Sequence, residues 1–311
     1  MSTELLVAET STSALLTGDA ASSRRSRRRP GGAPQTAGGR IRLAIRHVVM
    51  YAAALIFMIP LIYAFFSALK PNGEMFSMPP SLFGSEIKWS NFAEVFEYGP
   101  FWTYIGNSLL VAVLGTLVVL VVSTTAGYAF GRLRWKGRDL VFVAFLATLM
   151  VPAEVLVIPM FQVMQWFQWV NTYQALILPF AFGAFGTFLM RQFFRGIPFE
   201  LEEAARVDGA GPVRTFLRII LPLSKSAVAV LAVFTFLSFW NSYLWPLIVT
   251  VDYDTLGTLP IGLATFSGLT GTRWDLQMAA AIISMIPTTL LVIILQKHLV
   301  KGIAMAGLGG R

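Results

Sequence analysis

Residues Ile105–Phe130 read IGNSLLVAVLGTLVVLVVSTTAGYAF, 26 positions without one charged side chain. The run is apolar on every side of a helix, with no polar stripe of the kind that faces water. The hydrocarbon layer of a bilayer is about 30 Å thick and takes roughly 20 helical residues at about 1.5 Å each. This run is long enough to cross, and five others resemble it. Val48–Leu69 has no charge in 22 residues, Leu140–Phe161 carries only Glu154, and Tyr173–Met190 has none in 18. Ile219–Thr250 exceeds one crossing and holds only Lys225, near its start, while Met278–Gln296 has no charge in 19. The expected fold is therefore all-α: a polytopic membrane protein with six spans at about 48–69, 105–130, 140–161, 173–190, 222–249 and 278–296.

Composition points the same way. Of 311 residues, 56% are hydrophobic and 13% charged. A soluble domain carries roughly 25% charged residues because its surface must face water. This chain lacks the polar surface to cover a soluble core of its size.

The charges that exist are sorted. Of 24 Lys and Arg, 21 fall in segments 1–47, 131–139 and 191–218, at Lys225, or after Gln296. The other three, Lys70, Lys88 and Arg273, lie in the alternate segments. Cationic loops stay on the cytoplasmic side, so both termini are expected inside. The net charge of +8 is then mostly a topology signal. Arg24-Arg25-Ser26-Arg27-Arg28-Arg29 sits in a Ser/Ala/Gly/Pro-rich stretch with little to bury. Residues 1–46 are read as a disordered cytoplasmic extension whose arginines suit anionic lipid of the bilayer rather than nucleic acid. Residues 303–311 are read as a cytoplasmic tail.

Enzymatic chemistry finds little purchase. With no cysteine there is no disulfide, thiol nucleophile or Cys-ligated metal. His47 and His298 fall at inner ends of spans without an acidic neighbour in sequence, which fits interfacial histidines. No Gly-x-x-x-x-Gly-Lys-Ser/Thr loop occurs; the only Lys-Ser pair, Lys225-Ser226, follows Leu223-Ser224. No cofactor or metal is expected, and if ATP drives the protein, another chain binds it.

The segment between the fourth and fifth spans, from Arg191 to Gly211, is different in kind. Pro198 suits a helix start, and Glu200, Glu202 and Glu203 suit a first turn, where the backbone dipole is positive. Glu202 and Arg206 are spaced to pair along one face. Gly209 or Gly211 can take the left-handed conformation that ends a helix. A short helix over about 199–209 follows, too charged to span, with Ala204 and Ala205 making part of its surface small-sided. It reads either as a docking surface or as a connector lying on the membrane.

Glu203-Ala204-Ala205-Arg206-Val207-Asp208-Gly209-Ala210, followed by Phe216, Ile219 and Leu221-Pro222-Leu223, resembles the EAA loop of binding-protein-dependent ABC importer permeases. More narrowly, the chain is similar to MalG-like permeases of carbohydrate importers from about Val48 to Gly302. Asn107-Ser108, Ala126–Arg132, Met150–Val155 with Ile158-Pro159, Phe188–Phe194, Trp240–Pro246 and Gln296–Gly302 support the likeness in order. Ser226 stands where the family often has proline, and the tail from Ile303 departs from the pattern.

The resemblance implies a permease that pairs with a second, MalF-like permease and docks on an ABC ATPase dimer through Glu203, Ala204, Ala205, Arg206, Asp208 and Gly209. It also implies an external solute-binding protein, a sugar or sugar-like solute, and a place in the cytoplasmic (inner) cell membrane of a prokaryote. Glu203 is expected to make a charged contact with the ATPase. The outer segment Lys70–Tyr104 is a candidate face for the binding protein.

Polar residues within the spans are candidate pathway positions. Glu154, between Pro152 and Pro159, must face protein or water, because a carboxylate in lipid is costly. It is either a gate residue or a carboxylate capping an interrupted helix. Asn107, Trp240 and Asn241 read as pathway residues or as interhelical hydrogen-bond formers. The competing function is a self-sufficient secondary carrier, which would show internal repeats and ionisable residues at mid-membrane. Here the docking segment occurs once, and Glu154 is the only acid in the spans.

Overall fold

The computed structural model describes residues 37–79, 81–268 and 271–308. The arginine block with most of the 1–46 extension, and the end of the 303–311 tail, lie outside the described residues. The chain divides into two units, Met1–Met58 and Ile59–Arg311. Helix α1 (Ala37–Ser67) crosses the division. In the first unit it carries Arg42, Arg46 and His47 ahead of an apolar run from Val48, and it is exposed at every position over 41–58.

The second unit continues α1 and then runs through α2 (Ser90–Tyr98), α3 (Phe101–Gly131), α4 (Arg138–Ala147), α5 (Val157–Trp166), α6 (Tyr173–Ile177), α7 (Ala184–Arg195) and α8 (Glu200–Val207). After these come α9 (Pro212–Thr215), α10 (Leu221–Leu223), α11 (Lys225–Trp240), α12 (Leu244–Val249), α13 (Tyr253–Leu256) and α14 (Leu259–Ala264). A two-residue hairpin, β1 (Ser267–Gly268) against β2 (Gly271–Thr272), is antiparallel with Ser267 opposite Thr272. Helix α15 (Trp274–Leu308) closes the chain, so the helix of the last span runs on through the start of the expected tail.

The expected spans divide into two kinds. Those at 48–69, 105–130 and 278–296 lie in the long helices α1, α3 and α15. The other three are bent pairs rather than single rods. Arg138–Met150 meets Ala153–Trp166 at 91°, Tyr173–Phe180 meets Ala184–Arg195 at 45°, and Pro212–Leu223 meets Lys225–Trp240 at 78°. The breaks have local causes. Pro152 pushes Val151 out of the helical region, to φ −87° and ψ 119°. Gly183 is extended ahead of Ala184. The turn of backbone before Ser224 winds as a π-helix over Phe216–Ile220, and the Ser224 hydroxyl donates to the Ile220 carbonyl at 2.7 Å. The expected span at 222–249 is in fact α10, α11 and α12, interrupted again at 241–243.

Helix α3 is central, packed by α7 and α11. Close approach depends on small residues, which let backbones near each other where lipid gives no hydrophobic drive. A Cβ placed on Gly127 would lie 2.7 Å from Met190 Cβ and 3.0 Å from the Arg191 nitrogen, so no larger residue fits there without moving α7.

Polar contacts collect at the two ends of this bundle. At one end Asn107 donates to the carbonyls of Thr255 (3.0 Å) and Gly257 (2.9 Å) and accepts from the Tyr173 hydroxyl at 2.6 Å. There too, buried Asn91 donates to the carbonyls of Ala68 and Lys70 at 2.9 and 3.0 Å, and Arg273 reaches Glu94 at 3.3 Å. The opposite end gathers Arg132, Asp139, Arg191 and α8. Within the second unit, the segments holding Lys70 and Arg273 thus meet at one end, and those holding Arg132, Arg138 and Arg191 at the other.

Candidate functional site

Helix α8 begins after Phe199, where Glu202 and Glu203 nitrogens both donate to the Phe199 carbonyl, at 3.0 and 3.2 Å. It ends on Gly209 at φ +79°. The Gly209 nitrogen donates to the Arg206 carbonyl at 3.0 Å and the Ala210 nitrogen to the Ala205 carbonyl at 2.8 Å. These are the paired bonds of a Schellman cap, in which only glycine takes the left-handed position without strain. The helix itself covers Glu200–Val207, where the sequence suggests about 199–209.

Its faces differ from the expectation in two respects. Glu202 does not pair with Arg206. It is buried, 5% exposed, and its Oε1 accepts from Arg132 Nε; Arg132, at the end of α3, is itself 9% exposed. Arg132 also donates to the carbonyls of Phe194 (3.2 Å), Ile197 (3.0 Å) and Pro198 (3.4 Å), and lies 5.0 Å from the Phe199 ring centre. The guanidinium fork therefore satisfies the last carbonyls of α7 and the following turn, and clamps the first turn of α8 to α3. Ala205 is buried on that same side, so of the two alanines only Ala204 is presented outward. Glu203, Ala204, Arg206, Asp208 and Gly209 remain exposed together.

A second arginine stiffens the neighbourhood. Arg191 reaches Asp139 at 3.1 Å, donates to the Phe130 carbonyl at 3.2 Å and lies 3.9 Å over the Phe142 ring. The Asp139 carboxyl is held below the usual range by its hydrogen bond from Arg138, with the charge of Arg191 adding to the effect. Tyr128, Phe194, Phe216 and Ile220 pack beneath as one apolar cluster. The result is a short charged helix fixed rigidly to α3, α7 and the root of α11.

The four candidate pathway residues are not brought together. Asn107 uses its amide on α13 and α6, as above. Trp240 is buried, and its Nε1 donates to the Ser284 carbonyl of α15 at 3.1 Å. Asn241 is exposed and donates back to Leu237 of its own helix at 2.9 Å. Glu154 sits exposed in the break between α4 and α5, in a 3-10 turn over Ala153–Leu156.

The structure assembles a groove that the sequence reading did not single out. It encloses about 410 Å³ between α3, α7 and α11 and is lined by Phe180, Gly183, Phe234, Thr235, Ser238 and Ser242, among others. No lining residue is charged. Two helix breaks, at 181–183 and 241–243, open at this groove. Unwound backbone at membrane depth is tolerated only where it meets protein or water. A signal did exist: Thr235, Ser238 and Ser242 recur at i, i+3 and i+7 in an otherwise apolar run.

A polytopic helical chain whose spans break beside an uncharged, largely apolar groove carrying three hydroxyls, and which holds one charged helix at an end of the bundle, is built as a transport permease. The chain belongs to the family of binding-protein-dependent transport system inner membrane components, which it matches over residues 123–305. It is 37% identical over 265 residues to the sn-glycerol-3-phosphate transport system permease protein UgpE of Pectobacterium atrosepticum, covering 83% of this chain and 94% of that one. It is 35% identical over 260 residues to the arabinooligosaccharides transport system permease protein AraQ of Halalkalibacterium halodurans, covering 83% and 93%. In fold it is similar to a chain of a bacterial ABC transporter involved in the import of the acidic polysaccharide alginate. That likeness has a TM-score of 0.71 at 24% identity, over 86% of this chain and all of the other. The protein is a membrane-embedded transport permease.

Proposed function

We propose that this chain forms half of the solute pathway of an ATP-driven importer for a neutral carbohydrate, and that the groove of Phe180, Phe234, Thr235, Ser238 and Ser242 is its contribution to that pathway. The observation that carries this reading is the meeting of two helix breaks at a groove that offers hydroxyls and aromatic edges but no charge. Hydroxyls exchange hydrogen bonds with sugar hydroxyls, and rings cover the apolar faces of a sugar. A phosphate entering the same groove would leave its hydration without meeting a cation, which costs several kcal/mol. Between the two solutes in the relatives' names, an oligosaccharide suits these residues better than glycerol phosphate.

The partners follow from what the chain lacks and presents. ATP is bound by an ABC ATPase dimer that receives Glu203, Ala204, Arg206, Asp208 and Gly209. A second permease supplies the other wall of the groove, and an external binding protein delivers solute at the Asn91–Arg273 end. Closure of the ATPase dimer moves α8, and the Arg132–Glu202 link carries that motion into α3. Residues 1–46 and the tail are cytoplasmic in this arrangement. Reporter fusions after Leu69 and near Asp254 should read outside, and those at Trp135, Arg206 and Leu308 inside. A cytoplasmic signal at Asp254 would remove the six-span topology.

The groove is tested in the reconstituted importer. Ser238→Trp fills it from the exposed side of α11 without touching α8, so ATPase binding should persist while uptake falls at least about tenfold. Solute-stimulated ATP hydrolysis should respond to arabino-oligosaccharide and not to sn-glycerol 3-phosphate. Stimulation by the phosphate alone would overturn the neutral-solute reading, and unchanged uptake by Ser238→Trp would remove the groove from the pathway.

A further inference from the structure

Helices α11 and α15 are tied where Trp240 meets Ser284. Toward the start of α11 a second groove of about 500 Å³ opens between them, lined by Leu221, Val228, Ala229, Ala232 and Leu295. Pro222, Lys225 and His298 complete its lining, and both basic residues are exposed. Among the described residues Lys225 forms no ion pair. The groove lies at the elbow where Pro212–Leu223 turns by 78° into α11, at the same end of the bundle as α8.

Small residues on a membrane helix normally let a neighbouring helix come close. Here Ala229 and Ala232 face α15, yet space remains. Its walls are carbon apart from the two basic groups, so water has too few partners to fill it. Ile293 and Ile294, which precede Leu295 on α15, are 53% and 69% exposed, apolar surface of the kind that lipid covers. A partner helix seated there would cover the carbon walls but leave the two basic groups to water. A phospholipid brings its anion to that depth already.

We propose that this groove binds one anionic phospholipid, an acyl chain lying along Val228, Ala229 and Ala232 and the phosphate meeting the Lys225 ammonium and a His298 ring N–H. Selectivity resides in the headgroup. Moving an acyl chain from bilayer to groove exchanges one apolar surrounding for another and discriminates little between lipids. A lysine near the membrane surface favours an anionic lipid by about fivefold. The bound lipid braces the elbow between the α8–α10 region and α11. Which leaflet it comes from rests on the orientation proposed above; the groove and its chemistry do not.

The test uses the full chain in nanodiscs of phosphatidylcholine containing phosphatidylglycerol, followed by mass spectrometry of retained lipid. Phosphatidylglycerol should be retained in preference to phosphatidylcholine. The paired change Lys225→Gln with His298→Gln should lower that preference at least about fivefold. Ala232→Phe, which fills the groove and leaves both basic groups, should remove lipid of either kind. Equal retention of the two lipids, or a preference untouched by the paired change, would overturn the proposal. So would displacement by millimolar inorganic phosphate, which would mark a free-anion site. Because the chain has no cysteine, Ala232→Cys supplies a unique thiol. Its cross-linking to a second permease in the assembled importer would give the groove a protein occupant and end the lipid reading. Solute uptake is not measured in any arm, so failure here and failure of the carbohydrate reading are told apart.

Discussion

Replacing Arg132 with alanine should uncouple the protein while leaving it in the membrane. The change leaves buried Glu202 without its partner and strands the carbonyls of Phe194, Ile197 and Pro198 that Arg132 serves. Breaking a buried pair from one side costs about 3–5 kcal/mol. At about 1.4 kcal/mol per tenfold, that shifts the balance between a docked and an undocked α8 by more than a hundredfold. Co-purification of the ATPase with tagged permease should fall to background, and solute-stimulated ATP hydrolysis should be lost. Arg132→Lys keeps the charge but not the planar fork, so it should recover only part of the coupling. The informative control removes both charges. Arg132→Met with Glu202→Leu leaves no stranded ion and should restore more stability than either single change. If Arg132→Ala kept full ATPase binding and transport, the link between α3 and α8 would be ornamental to coupling.

Gly209→Leu is expected to abolish transport by a different route. Its φ of +79° costs a side chain about 1–2 kcal/mol. Among the described residues, its chain neighbours aside, nothing lies within 4 Å of the Cβ it would gain, so the fold described has room for the new residue. Thermal stability should therefore drop modestly and membrane insertion should be normal. The leucine projects instead from the exposed end of α8, where it would hold a close-fitting partner away. ATPase association should be lost to a degree that the strain alone does not explain. Gly209→Asn, which tolerates the left-handed conformation and is smaller, should retain most binding. Glu203→Ala should be milder still, because a partly solvated ion pair is worth about 1 kcal/mol or less. Full ATPase binding and transport by Gly209→Leu would make the segment a connector.

Much of this architecture is legible in the chain before any coordinate. Uncharged runs of spanning length and the sorting of lysines and arginines need no tertiary information, since each depends only on a segment and the bilayer. The α8 cap is local in the same sense. Pro198, the acidic first turn and Gly209 act on backbone within a few residues, and the structure realises them. The bends were half legible. Pro152 announces a break, but its 91° angle depends on how the two halves pack, which no local rule gives.

What the sequence by itself determined, then, is that the chain lives in a membrane, how many segments are long enough to cross it, and where one short charged helix starts and stops. Only the tertiary structure decided which charges are partners. Local spacing paired Glu202 with Arg206 because they share a helix face, whereas the fold carries Arg132 from seventy residues away into a drier place on the opposite side. Burial settles that competition: a carboxylate removed from water gains far more from a buried guanidinium than an exposed neighbour can offer. The groove was decided in the same way. Thr235, Ser238 and Ser242 are weakly polar groups in an apolar run, and they define a site only when the breaks at 181–183 and 241–243 bring unwound backbone to the same place. A bilayer reads each segment separately, but a site is a meeting of segments.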